Sequence, residues 1–199
     1  MNKVLVIIVV FFLQINLYAG YGGGGRSSNY LELDLFEQSF NFYYKAINDT
    51  IFYTNKKGKE KFVKATINIA FYDINRDSSF LLFEKESGHE IKAFFFEKEY
   101  NESKKKIDFV LVDGTYSSGY IDNNSNIERR EISNDIYIVT YSIKDGKHYL
   151  WSCHKTGKNL KLITEFKDFS DFKMDTYNDI ILIVKQIGKD GMIINRIEK

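Results

Sequence analysis

Across 199 residues this chain contains no proline, and from Tyr30 onward it alternates short apolar runs with polar turns rich in Gly, Asn and Asp. That pattern constrains the fold more than any other feature. Proline-free runs leave every backbone N–H able to join a ladder, and turns built from Gly, Asn and Asp reach the positive-φ conformations of tight hairpins. Leu31, Leu33 and Leu35 alternate with Glu32 and Asp34, the period-2 signature of a half-buried strand. Further strand-like runs are Phe40–Ala46, Thr50–Thr54, Thr66–Tyr72, Phe80–Phe83, Ile91–Phe96, Ile107–Val112, Ile136–Tyr141, Tyr149–Cys153, Leu160–Phe166, Ile180–Val184 and Met192–Ile197. No segment sustains a helical period over three turns. With 17 Phe and 14 Tyr the chain is rich in strand formers. The expected class is all-β, built from antiparallel hairpins.

The hairpins repeat. Asn68–Glu97 aligns without gaps on Tyr137–Phe166, with identities at Ile69/Ile138, Tyr72/Tyr141, Ile74/Ile143, Leu81/Leu150, Gly88/Gly157 and Lys92/Lys161. The glycines fall in turns and the apolar matches fall on strands, which is what a structural repeat requires. Similar strand–turn–strand patterns surround Gly58, between Ile51 and Val63, and Gly191, between Ile180 and Ile197. A degenerate copy spans Ile107–Ile132.

The run IVTYSIKDGKHYLWSCHKTGKNLKLIT resembles a blade of the TolB-like and related β-propellers. Ile138, Asp145-Gly146, Leu150-Trp151, Gly157 and Leu162–Thr164 hold the places of strand, Asp-Gly turn, aromatic strand, Gly turn and Leu-Thr ending. The first copy departs from the pattern, with Asp77-Ser78 where the family prefers Asp-Gly. The resemblance covers about 60 residues and implies blade geometry without any chemistry. Complete propellers of this kind have six or more blades of roughly 40 residues, and this chain has room for four or five lean ones. The expected fold is therefore a small propeller-like domain, with a meandering barrel or a sandwich as the alternative.

At the N-terminus, Lys3, the apolar run Val4–Leu13 and small Ala19 have the order of a secretory signal peptide cut after Ala19. The run is shorter than the roughly 20 residues that span a bilayer. The expected layout is a signal peptide at 1–19, a flexible Gly-rich leader at 20–29 and one all-β domain at 30–199. That layout implies a secreted or periplasmic protein with no stable membrane insertion after cleavage. Cys153 is the sole cysteine, so no intramolecular disulfide forms, and its apolar strand makes it a buried thiol rather than a nucleophile. Asn48, Asn101 and Asn123 begin Asn-x-Ser/Thr sequons, which matter only in a eukaryotic secretory pathway.

Charge is balanced, 28 basic residues against 27 acidic, which argues against nucleic acid as a partner. Lys56, Lys57, Lys59 and Lys61 cluster around Gly58, as do Lys104–Lys106 farther on. An anionic surface is the functional reading of such clusters, and solvated turns are the plain one. Asp73, Asn75 and Asp77, with Ser79 and Glu84 following, have the oxygen spacing of a calcium loop. Ser78 replaces the glycine that the sharp turn needs, and strands flank the loop instead of helices, so a polar hairpin turn accounts for it more simply. His89, His148 and His154 lack zinc spacing. Ser87-Gly88 and Ser117-Ser118-Gly119 lack the strand–elbow–helix context of a nucleophile. Acidic residues are plentiful, yet no facing pair is singled out.

No catalytic residue and no cofactor emerges beyond the calcium reading of Asp73, Asn75 and Asp77. The expected function is an exported, non-catalytic protein-binding domain, in concrete form an inhibitor or immunity protein against a secreted toxin. A carboxylate-dependent secreted hydrolase and an envelope-associated structural subunit are the alternatives. Aromatics on both faces of runs such as Phe94-Phe95-Phe96 and Tyr43-Tyr44 fit either two-sided burial or an interaction surface.

Overall fold

The structure, a computed structural model, describes residues 30–83, 88–113, 121–122, 131–168, 171–175, 180–187 and 191–198. In chain order the strands are β1 (Asp34–Glu37), β2 (Phe42–Thr54), β3 (Glu60–Asp73), β4 (Ser78–Leu81), β5 (His89–Asn101), β6 (Lys106–Asp113), β7 (Ile121–Asp122), β8 (Asp135–Ser142), β9 (Lys147–His154), β10 (Lys161–Phe166), β11 (Phe172–Asp175), β12 (Ile180–Ile187) and β13 (Gly191–Glu198). They form three sheets, in the orders β1-β2-β3-β4, β10-β9-β8-β5-β6 and β13-β12-β11-β7. Every pairing is antiparallel except the two-residue contact of β7 with β11. The chain is all-β. Each sheet keeps two edges and none closes into a barrel, so the barrel alternative is not what these strands build. No helix among the described residues is long and apolar enough to cross a membrane.

Two cores lie on opposite faces of the second sheet. On one side Ile91, Phe94, Phe96, Ile136, Ile138 and Cys153 meet Leu31, Leu33, Phe42, Tyr44, Ile69, Phe71, Leu82 and Phe83 from the first sheet and its flanks. On the other side Ala93, Phe95, Tyr137, Val139 and Leu150 meet Phe166, Phe172, Met174, Ile181 and Ile183. The residues from Glu90 to Glu97 are consequently buried without a break. A strand covered on both faces reads as a continuous apolar run and not as an alternation, which accounts for Phe94-Phe95-Phe96. In the segment leading into β1, covered on one face only, alternation survives: Leu31 and Leu33 are buried while Glu32 and Asp34 are exposed.

The sequence repeat is a repeat of register. Ala70, Phe71, Tyr72 and Asp73 face Leu81, Phe80, Ser79 and Ser78. Val139, Thr140, Tyr141 and Ser142 face Leu150, Tyr149, His148 and Lys147, the aligned partner in every case. The turns match as well. Asp73 Oδ1 accepts the N–H of Arg76 at 3.3 Å, and the Ser142 hydroxyl accepts the equivalent N–H of Asp145 at 3.2 Å. Asp77, at φ 49°, occupies the left-handed position that Gly146 fills at φ 66°, so Arg76-Asp77 and not Asp77-Ser78 stands in the place of the Asp-Gly pair. Asp tolerates that conformation better than most side chains, so the hairpin survives without the glycine.

Candidate binding surface

The calcium-like loop is a closed turn. Asp73 Oδ1 accepts the N–H groups of Asn75 and Arg76 at 3.0 and 3.3 Å, and its Oδ2 lies 3.6 Å from Arg76 Nε. Asn75 Oδ1 accepts from Asn41 Nδ2 at 3.4 Å, and Asp77 accepts the Tyr72 hydroxyl. Each of the three side chains is thus committed to a different partner, Asp73 in an Asx-turn and Asn75 and Asp77 with other side chains. Glu84 lies outside the described residues. Among the described residues no group of three His, Cys, Asp or Glu side chains is placed to hold a metal ion.

The histidines and the cysteine sit within the packing. His148 stacks on Phe166 at 5.3 Å in the second core, whereas His154 packs edge-on against Phe40 at 4.8 Å beside the first. His89 stacks on Tyr149 at 5.0 Å, and its Nδ1 lies 3.3 Å from Thr140 Oγ1, which accepts the Trp151 indole N–H at 3.0 Å. Burial lowers the pKa of both His89 and His148. Cys153 is buried in the first core, and burial pushes its thiol up to about 12; a thiol held protonated is a poor nucleophile. The serines of Ser87-Gly88 and Ser117-Ser118-Gly119 lie outside the described residues.

The least exposed charged side chain among the described residues is one that no periodicity would have found. Lys155, in the turn after β9, is 0% exposed. Its Nζ donates to the Glu97 carbonyl at 2.9 Å and lies 5.1 Å from the Phe96 ring centroid. Its own carbonyl accepts the Tyr44 hydroxyl at 2.7 Å, and its N–H donates to Asn134 O at 2.7 Å. Burial lowers its pKa, with Glu37 and Glu97 opposing the shift. Lys155 therefore ties the first sheet to the second. The buried carboxylates are occupied likewise: Glu37 Oε2 accepts the Phe40 N–H at 2.8 Å, Glu97 Oε2 the Ser133 N–H at 2.7 Å, and Glu90 pairs with Lys92. Hydrolysis by paired carboxylates needs an acid and a base facing a shared cleft, and these three are engaged inside the packing.

Several large apolar side chains stay open to solvent, Phe36, Phe52, Phe62 and Leu81 among them. The outer face of the first sheet, opposite the first core, carries Phe36, Tyr43, Tyr72 and Leu81 around Ala70, with Ile74 at its rim. Phe36, Tyr43, Lys45, Ala70, Tyr72 and Ile74 line a shallow recess there. Asp34 accepts the hydroxyl of Tyr43, as Asp77 does that of Tyr72, so both rings are held in place. The Tyr43 hydrogen bond keeps the Asp34 carboxyl below its ordinary pKa. Farther along β2 and β3, Phe52 and Phe62 face each other across the ladder with ring centroids 6.4 Å apart. Comparison of the chain with family models, with curated proteins and with solved structures returned no match.

Proposed function

We propose that this chain is a non-catalytic protein-binding domain acting outside the cytoplasm, with the outer face of the first sheet as its contact surface. The observation that carries this reading is the pair Tyr43 and Tyr72, hydrogen-bonded to Asp34 and Asp77 on a sheet face that also presents Phe36, Ala70 and Leu81 beside the Lys45–Asp34 ion pair. Tyrosines supply large contact area and concentrate binding energy at interface centres. Rings already fixed lose little rotamer freedom when a partner arrives. The compartment rests on residues 1–19 and their signal-peptide order. In its concrete form the domain is an inhibitor or immunity protein that covers a secreted toxin. Face-to-face stacking of four- and five-stranded sheets also supports reading them as propeller-like blades.

The test is affinity capture from extracts of the producing cells and their neighbours, with wild type and the Tyr43→Ala/Tyr72→Ala double variant as parallel baits. The expected result is one stoichiometric partner, retained by wild type and weakened at least about tenfold in the variant. Equal capture by both baits, or no partner at micromolar bait, overturns the assignment of this face.

A further inference from the structure

We propose that the tip of the β2–β3 hairpin is a docking element for an anionic lipid surface. β1 pairs only with Phe42–Lys45, and β4 only with Ala70–Asp73. From Asn48 to Thr54 and from Glu60 to Lys64 the two strands therefore run as a two-stranded arm, with no flanking strand among the described residues. At roughly 3.3 Å per residue the arm extends about 20 Å. Phe52 is 78% exposed and Phe62 61%, and they form a cross-strand pair. Such a pair ordinarily sits under another layer; left open, it marks an interaction site.

Around the pair the arm carries Lys56, Lys57, Lys59, Lys61 and Lys64 against Asp49 and Glu60, all exposed. The tip is a fixed shape. Asn55 Oδ1 accepts the N–H groups of Lys57 and Lys59 at 2.9 and 3.0 Å, the Asn55 N–H donates to Lys59 O at 2.9 Å, and Gly58 turns the chain at φ 72°. Lys56, Lys57 and Lys59 therefore sit on the turn that lies beyond the two rings along the arm.

Charge selects the occupant. A second copy would bring the same lysines against these and be repelled. A nucleic-acid groove would spread basic residues along a track, whereas this chain is balanced overall, 28 basic residues against 27 acidic, and this arm gathers five lysines against two acidic residues. Aromatic rings at the depth of the headgroups and ammonium groups on the lipid phosphates are what a membrane interface takes. Lysine stems can lie along the apolar boundary while their charges stay in water. Phe52 and Phe62 would enter the interface and the lysines would bind phosphate.

The test is co-sedimentation of the full chain with phosphatidylcholine vesicles, with and without added phosphatidylglycerol. Binding should require the anionic lipid and fall as salt is raised. Reversal of three lysines (K56E/K57E/K59E) should weaken it about a hundredfold, at about fivefold or more for each lysine. Phe52→Ser/Phe62→Ser should weaken it more than about tenfold. All these side chains are exposed, so the variants should keep the wild-type urea transition, and the apolar run at 4–13 is common to every protein compared. A Phe52→Trp variant supplies a second readout, with its emission moving to the blue only when anionic vesicles are present. Undiminished binding by the variants, binding indifferent to phosphatidylglycerol, or no binding overturns the proposal. So does an oligonucleotide held by the same lysines when vesicles are not.

Discussion

The two copies of the repeated hairpin, β3–β4 and β8–β9, share register residue for residue, yet the strand that follows each goes to a different place. After β9 the chain turns at Gly157, and β10 pairs with β9. After β4 it passes Gly88, and β5 leaves the first sheet for the second, where it lies between β8 and β6. Composition accounts for the divergence. The β5 segment Ile91–Phe96 is apolar on both faces apart from Lys92, whose charge is paired with Glu90. A strand with two apolar faces is stable only between two layers. In β10, Lys161 and Glu165 are exposed, and so is Leu162; such a strand belongs at an edge, where polar side chains meet water. The hairpin thus fixes register, and the polarity of the third strand decides which sheet receives it.

The largest effect that would sharpen this contrast comes from the strands themselves. Phe95 is fully buried among Tyr137 and Phe172, so Phe95→Ala should cost about 4 kcal/mol. Leu162→Ala, on the exposed edge, should stay within about 0.5 kcal/mol. Urea unfolding of both variants measures the difference, and equal midpoints would break the argument from layer position.

An intermediate effect separates the two equivalent glycines. Gly88 and Gly157 have φ of 66° and 73°, but a Cβ at Gly88 meets nothing within 4 Å, whereas at Gly157 it would lie 2.7 Å from the Phe80 ring. Gly88→Ala should cost about 1 kcal/mol from backbone strain alone. Gly157→Ala should cost about 3 kcal/mol, because the Phe80 ring, stacked on Phe71, must also shift. Thermal unfolding compares them directly. A smaller cost at Gly157 would show that Phe80 yields freely.

The smallest effect is a pH dependence. His148 is buried between Tyr141 and Phe166, with Lys92, Glu90 and Asp168 near it, and burial depresses its pKa. The unfolded chain binds a proton near 6.5 while the folded chain resists it, so stability is lost as pH falls below about 6.5 toward the depressed value. The urea midpoint should decline between about pH 7 and pH 5. His148→Phe should lessen that decline. An identical decline in both proteins would place the titrating group elsewhere, His89 being the other depressed histidine.

Most of the strand pattern was legible because one-sided burial leaves an alternating trace. The runs Phe40–Ala46 and Thr50–Thr54 read as two strands but are one, β2, because the bulge at Ile47/Asn48 resets the face and interrupts the alternation. β11 went unread: in Phe172–Asp175 a single exposed Lys173 parts buried Phe172 from buried Met174, too short a stretch to register as a period. The surface features were less legible. Phe52 and Phe62 look like core residues in sequence, and only the end of the flanking strands leaves them open. Lys155 looks like any turn lysine, and its burial follows from Glu97 and Tyr44, 58 and 111 residues away along the chain.

The place of β5 also sets an order in time. A chain that emerges N-terminus first completes the first sheet early, and β5 can pair with β6 as soon as both are out. β8 follows only about twenty residues after β6, and the strands of the third sheet that cover Phe95 come later still. Until β11 and β12 arrive, the apolar run of β5 has one face bare, the kind of exposed surface on which neighbouring chains aggregate. Loss of the C-terminal sheet would make that transient state permanent.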